Sequence, residues 1–168
     1  MSPHDQGEEP PLLSREDYIV LLSTYSINAY KSHKLINKNI YKTEINVLAQ
    51  VCANLLTHYH ETPQEIIAHM EKILTENHNK ELQEIDCHIK HLFNIRKQAP
   101  AETFYGEQEI IKLTTQITEL QRCRAMPCIE TIKRIVNESL IQAMEIYGAE
   151  LPAGFNLNQY EDKPLQPE

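Results

Sequence analysis

Apolar residues recur along this chain every three or four positions, which is the spacing of one face of an α-helix. Segments of this kind run from about Arg15 to about Tyr30, from about Thr43 to about His60 and from Pro63 onward. Two more follow Gly106 and precede Gly148. No segment alternates as a half-buried strand does, so the pattern predicts an all-α protein.

Each predicted helix carries one apolar stripe that has to be buried against other helices. The stripes are Tyr18, Leu21, Leu22, Tyr25 and Ala29; Ile45, Leu48, Cys52, Leu55, Leu56 and Tyr59; Ile66, Met70, Ile73 and Leu74; Leu82, Ile85, Ile89 and Leu92; Ile110, Leu113, Ile117 and Leu120; and Ile129, Ile132, Val136, Leu140, Ala143 and Tyr147. We therefore expect a single-domain antiparallel bundle of five or six helices over residues 14–148.

Two questions decide the helix count. Residues 63–98 form one long helix, or two that meet near Asn79, because Asn77-His78-Asn79 are weak helix formers. Residues 31–42 are ambiguous, since Asn37 and Asn39 weaken the helical pattern while Leu35, Ile36 and Ile40 are spaced to form a short helix.

The helix ends carry local signals. Ser14 and Thr62 are each followed three residues later by an acid, Asp17 and Glu65, which is the pattern of an N-terminal capping box. Gly148 is well placed as the C-terminal cap of the last helix. Outside the bundle, proline-containing residues 1–13 predict a flexible arm and residues 149–168 a disordered acidic tail.

Composition excludes several function classes. The 168 residues include only four glycines, and no glycine-rich phosphate loop is present. No run of about 18 apolar residues exists, so we expect no transmembrane segment. The first residues lack the pattern of a signal peptide, which favours a cytoplasmic protein and leaves secretion into a host cell by another route open. The four cysteines are then expected to be free thiols.

Histidine and cysteine residues raise a metal hypothesis. Glu84, Cys87, His88 and His91 form the densest group, with pairs four residues apart. The spacing matches no complete metal signature, and the apolar stripe of this segment turns these side chains toward solvent or the flank. Cys52 fits a core stripe better than a nucleophile. We therefore expect no catalytic residue, no metal and no cofactor; the alternative is a metal-binding or enzymatic site of His, Cys and carboxylate groups assembled between helices.

Charge is unevenly distributed along the chain. The net charge is −8, yet no acid occurs between Asp17 and Glu44, where four lysines lie: Lys31, Lys34, Lys38 and Lys42. If this segment is helical, their spacing of three, four and four places them on one face. With Tyr30 and Tyr41 they are our candidate partner-binding residues, and the alternative is an ordinary solvated face. An acidic chain of this kind is not expected to bind DNA.

These observations favour a non-enzymatic helical protein-binding module. The expected partner is another protein, one with an acidic surface for the lysine row, and a homo-oligomer is left open. The small size and the high content of Asn, Lys, Ile and His resemble helical accessory or effector proteins of bacteria with AT-rich genomes, a resemblance of composition alone. An adaptor, a chaperone or inhibitor, or a secreted bacterial effector would fit.

Overall fold

The computed structural model describes residues 13–124 and 128–157. Five α-helices account for 82% of these residues, and the described residues include no strand. The helices are α1 (Arg15–Lys34), α2 (Lys38–His58), α3 (Pro63–Gln98), α4 (Phe104–Arg124) and α5 (Ile129–Glu145). The predicted all-α class, with five helices in bundle-like packing, is confirmed.

Both predicted N-terminal caps are present. The Ser14 hydroxyl accepts the backbone N–H of Asp17 at 3.1 Å at the start of α1. At the start of α3, the Thr62 hydroxyl accepts the N–H of Glu65 at 3.1 Å, and the Glu65 carboxylate accepts the N–H of Thr62 at 3.4 Å. This reciprocal pair satisfies two backbone donors that a helix start would otherwise leave unpaired.

The two open helix questions have clear answers. α3 is one continuous helix through Asn77–Asn79, because the intrinsic cost of Asn and His in a helix is only about 0.7 kcal/mol each. Residues 31–42 do not form a short helix of their own. Instead α1 continues to Lys34, and α2 already begins at Lys38.

The helices group into two compact units. The first unit comprises residues up to Thr75 and from Ile129 onward, and the second comprises Glu76–Cys128. The single-domain organisation expected over residues 14–148 stays a prediction. The predicted arm and most of the tail, residues 1–12 and 158–168, lie outside the described residues. At the near end of the tail, Ala149 is buried and its N–H donates to the Ala143 carbonyl at 3.0 Å.

In the first unit, α1 and α2 run antiparallel. The Tyr18 and Tyr59 rings lie 6.1 Å apart at one end of this pair, and the His33 and Tyr41 rings 5.3 Å apart at the other. The Ser23 hydroxyl on α1 lies 2.8 Å from His69 Nε2 on α3. The core holds large buried side chains from four helices: Leu22, Tyr30, Ile45, Leu48, Leu55, Ile66, Met70, Leu74, Ile132, Ile135, Val136 and Leu140.

α5 runs in the same direction as α2. Glu138 in the middle of α5 interacts with Tyr41 near the start of α2, and Tyr147 just beyond α5 bonds to Asn46 further along α2. Chain positions thus increase together along the two helices. The antiparallel order expected of the bundle holds for α1 and α2 but not for this pair.

The second unit is a helical hairpin with a small core. Leu92 on α3 packs with Leu113 and Ile117 on α4, with Ile89, Phe93 and Leu120 partly buried around them. Arg96 bonds to Thr114 at 3.2 Å and Arg124 to Asp86 at 2.6 Å, which fixes an antiparallel pairing. Within the described residues, none of the helices has the length and apolarity needed to cross a membrane.

Candidate partner-binding corner

The lysine row lies where α1 turns into α2, and we call residues 31–42 the α1–α2 corner. The Ile36 N–H donates to the His33 carbonyl at 3.1 Å, and the Asn37 N–H donates to the Ser32 carbonyl at 3.0 Å. This hydrogen-bond pair is a Schellman C-terminal cap. Asn37 then caps α2, because its side-chain oxygen accepts the N–H of Ile40 at 3.3 Å. The chain reverses with only three residues between the helices.

The turn places Ile36 in the left-handed region, with φ at 56°. Glycine usually occupies this position of a Schellman cap, and asparagine sometimes does. A β-branched residue is a conformational outlier there, because its Cβ substituents crowd the backbone. The turn is not predictable from the sequence, because the usual signal, a glycine or asparagine at the reversal, is absent from position 36.

The corner divides the lysine row between two helices. Lys31 and Lys34 lie in the last turns of α1, whereas Lys38 and Lys42 lie in the first turns of α2. The single helical face inferred from the spacing therefore does not form, because the helix ends at Lys34. Lys31, Lys38 and Lys42 are exposed. Lys34 is half-buried, with its ammonium group 5.5 Å from the centroid of the Tyr30 ring.

The two tyrosines of the predicted site occupy different environments. Tyr30 is only 2% exposed and belongs to the core, so its assignment to a partner-binding surface is corrected: its ring is inaccessible to a partner. Tyr41 is half-buried and meets the His33 ring edge-on. Burial, followed by the negative charge of Glu138, raises the pKa of the Tyr41 phenol, so it stays protonated and neutral.

Three aliphatic side chains stand out at the corner. Leu35 and Ile36 are each 79% exposed and Ile40 is 48% exposed. In the sequence, their spacing favours a short helix and does not indicate a surface. These side chains are exposed because α1 ends before them, and the spacing of apolar residues along the sequence does not show where the helix ends.

α5 contributes charges that the sequence could not assign to this site. Burial first, and then the positive charge of Arg134, lower the pKa of His33, while Glu138 opposes them. Arg134 and Glu138 lie about a hundred residues from His33 along the chain, so only the packing of α5 brings them to the corner. His33 and Glu138 would supply two metal ligands, fewer than the three or four protein ligands that metal sites use.

The other metal and thiol candidates lie elsewhere. Glu84, Cys87, His88 and His91 are all exposed on α3. Over residues 13–124 and 128–157, no three His, Cys, Asp or Glu side chains come together as ligands of an ion. Cys52 is buried, and burial raises the pKa of its thiol to about 12.

The fold and the site therefore define the class of the protein, which is all-helical with a basic and apolar corner. In comparisons with known proteins, no family model matches the chain, and no curated protein or solved structure proves similar to it.

Proposed function

We propose that the protein is a non-enzymatic, helical protein-binding module that docks on the acidic surface of a partner protein through the α1–α2 corner. The observation that carries the proposal is the charge of the corner. Lys31, Lys38 and Lys42 are exposed within a segment that contains no acid between Asp17 and Glu44, in a chain of net charge −8.

A local positive surface orients an otherwise acidic chain as it approaches an acidic partner. Long-range repulsion disfavours most encounters with an acidic partner, whereas an approach through the corner is attractive. Exposed charges of this kind mainly set the association rate and the choice of partner. Their action is screened over about 8 Å at 0.15 M salt, so binding through the corner should be sensitive to salt.

Binding of this kind fits several roles. An adaptor, a chaperone or inhibitor of one partner, and a bacterial effector secreted into a host cell all act by occupying a partner surface, without chemistry of their own. A cytoplasmic protein with free thiols suits each of these roles. The charge of the corner supports the binding step that they share.

The test is affinity capture from an extract of cells that make the protein, compared across three baits. One bait is wild type, and one carries Lys31→Glu, Lys38→Glu and Lys42→Glu. The third carries Lys90→Glu, Lys97→Glu and Lys112→Glu, which are exposed lysines of the second unit with the same total charge change. Lys34 is left intact because it packs on Tyr30.

We expect a discrete set of proteins that the wild type and the second-unit reversal retain and the corner reversal loses. Increasing salt should release the same proteins from the wild type. Equal retention by all three baits would overturn the proposal, as would equal loss from both reversals, because the effect would then follow net charge and not the corner.

A further inference from the structure

We infer that Leu35 and Ile36 form an apolar wedge that inserts into an apolar cleft on the acidic partner protein, with the corner lysines around it. The inference rests on the proposed function and adds the chemistry of the contact. The lysines would steer the encounter, and the wedge would hold the complex together.

The backbone conformation of Ile36 is unfavourable for an isoleucine. Its φ of 56° suits glycine, and an isoleucine there costs backbone free energy. The side chain gains little from burial, since it is 79% exposed. Folding is therefore better served by glycine or asparagine at this position. An isoleucine at a position that is both left-handed and exposed is explained when a binding partner buries its side chain.

Other exposed apolar and charged side chains accompany Ile36 at the corner. Leu35 is adjacent and equally exposed, and Ile40 adds a third, half-exposed aliphatic side chain one turn into α2. The exposed Lys31 and Lys38 lie on either side of the pair in sequence. An apolar centre with a charged rim is the usual anatomy of a protein–protein interface, where a few central residues supply most of the binding energy.

A protein partner fits better than an anionic membrane. Recognition of acidic lipid surfaces generally takes clusters of four to eight basic residues. Here three lysines are free to face outward, because Lys34 is half-buried against Tyr30. A cleft with a few carboxylates at its rim matches both the small apolar pair and the small number of lysines.

The decisive variant is Ile36→Gly, because it should move stability and binding in opposite directions. Removing the side chain relieves the left-handed strain, so the melting midpoint should rise by about 2–4 °C. The same change removes the wedge, so the dissociation rate from the partner should increase at least about tenfold while the association rate stays within about twofold. Replacing a residue with only a structural role would not raise the melting midpoint and speed dissociation at the same time.

The probe is the purified protein whose capture the corner reversal abolishes, measured by surface binding kinetics against the full chain. Ile36→Val keeps an aliphatic side chain and the strain, and should keep both rates within about threefold. Ile111→Ala removes another exposed aliphatic side chain, on α4, and should leave both rates unchanged. The corner reversal should slow association with little change in dissociation.

The outcomes separate the two proposals. If Ile36→Gly leaves dissociation unchanged while the lysine reversal still slows association, the wedge is wrong and the proposed function stands. If no protein is captured in a lysine-dependent way, both are overturned. Vesicles of phosphatidylcholine with 30% phosphatidylserine provide the last arm. Binding of the wild type to them, lost in Ile36→Gly, would make the wedge a lipid anchor and overturn the assignment to a protein partner.

Discussion

The Tyr147 hydroxyl donates a hydrogen bond to the Asn46 side-chain oxygen at 2.7 Å, and so joins the end of α5 to α2. The same hydroxyl accepts from the Gln50 amide at 2.8 Å. This small network lies at one end of the parallel α2–α5 pair, while Tyr41 and Glu138 lie nearer its other end.

Tyr147→Phe removes both hydrogen bonds of the hydroxyl while keeping the ring. We expect a loss of about 1 kcal/mol in the free energy of unfolding, the usual net worth of such a hydrogen bond. Urea denaturation followed by circular dichroism measures it. The control is Tyr105→Phe, since Tyr105 is 86% exposed and its change should be negligible. Equal effects from both variants would mean that the α2–α5 contact is not formed in solution.

Thr62→Ala should destabilise the protein by about 1 kcal/mol, because the Glu65 N–H loses its side-chain acceptor and the capping box opens. The exposed Thr118, in the interior of α4, is the comparison. Thr118→Ala should be neutral or slightly stabilising, since alanine has the higher helix propensity. A Thr62→Ala variant that unfolds at the wild-type urea concentration would show that the cap contributes nothing.

Gly106→Ala tests the start of α4. A Cβ at this position would lie 1.5 Å from the Pro100 carbonyl oxygen, so the connection from α3 must move to admit it. We expect a cost of about 3 kcal/mol, at the upper end for overpacking. Gly148→Ala is a useful contrast, because φ there is 71° but its Cβ would meet no atom within 4 Å. Backbone strain alone should cost only about 1–2 kcal/mol, and the reverse order would contradict the close approach.

His33 gives a pH dependence with a definite sign. Its pKa in the folded state is lowered from 6.5 by burial and by Arg134. The unfolded chain therefore binds the proton more readily, and the stabilising contribution of neutral His33 is present above about pH 6.5 and lost as the pH falls below it. The free energy of unfolding of the wild type, minus that of His33→Gln, should decrease from pH 7 to pH 5. The subtraction removes the common contribution of carboxyl groups such as Glu44, whose pKa is raised by burial.

Thiol reactivity should divide the cysteines. The pKa of Cys52 is raised to about 12 by burial, so almost no thiolate forms at pH 8, and the sulfur is inaccessible as well. With Ellman's reagent, Cys52→Ala should leave the reaction of the folded protein unchanged and remove one thiol from the count in guanidinium. Cys87→Ser should remove a fast phase from the folded protein, because Cys87 is exposed. A fast phase that disappears with Cys52→Ala would contradict its burial.

Local chemistry made the helix ends predictable. Ser14, Thr62 and Gly148 each act within four residues of their own position, and all three are found as expected, with the Gly148 N–H donating to the Met144 carbonyl at 3.2 Å. The end of α1 lacked such a signal, because an isoleucine fills the position that a glycine would have marked. The spacing of the lysines then suggested a continuous face across a place where the chain reverses.

The candidate site was predictable only in part. The acid-free lysine segment is visible in the sequence, and the exposure of Lys31, Lys38 and Lys42 agrees with a surface. The burial of Tyr30 depends on which helices pack together. The same is true of the proximity of Arg134 and Glu138 to His33. An apolar stripe predicts that a helix packs against another helix but does not show which one. The parallel α2–α5 pair and the division into two units therefore could not be predicted from hydrophobic periodicity.

The interruption of the first unit by the second has a consequence for the nascent chain. α1 and α2 are neighbours in sequence and can pair at once, since local contacts form quickly. α5 cannot cover α2 until residues 59–145 have also been made. At about 5–20 residues per second, that delay is roughly 4–17 s. For that time the face of α2 that α5 will cover stays exposed, so apolar core residues of the growing chain are open to contact with other molecules of the cell.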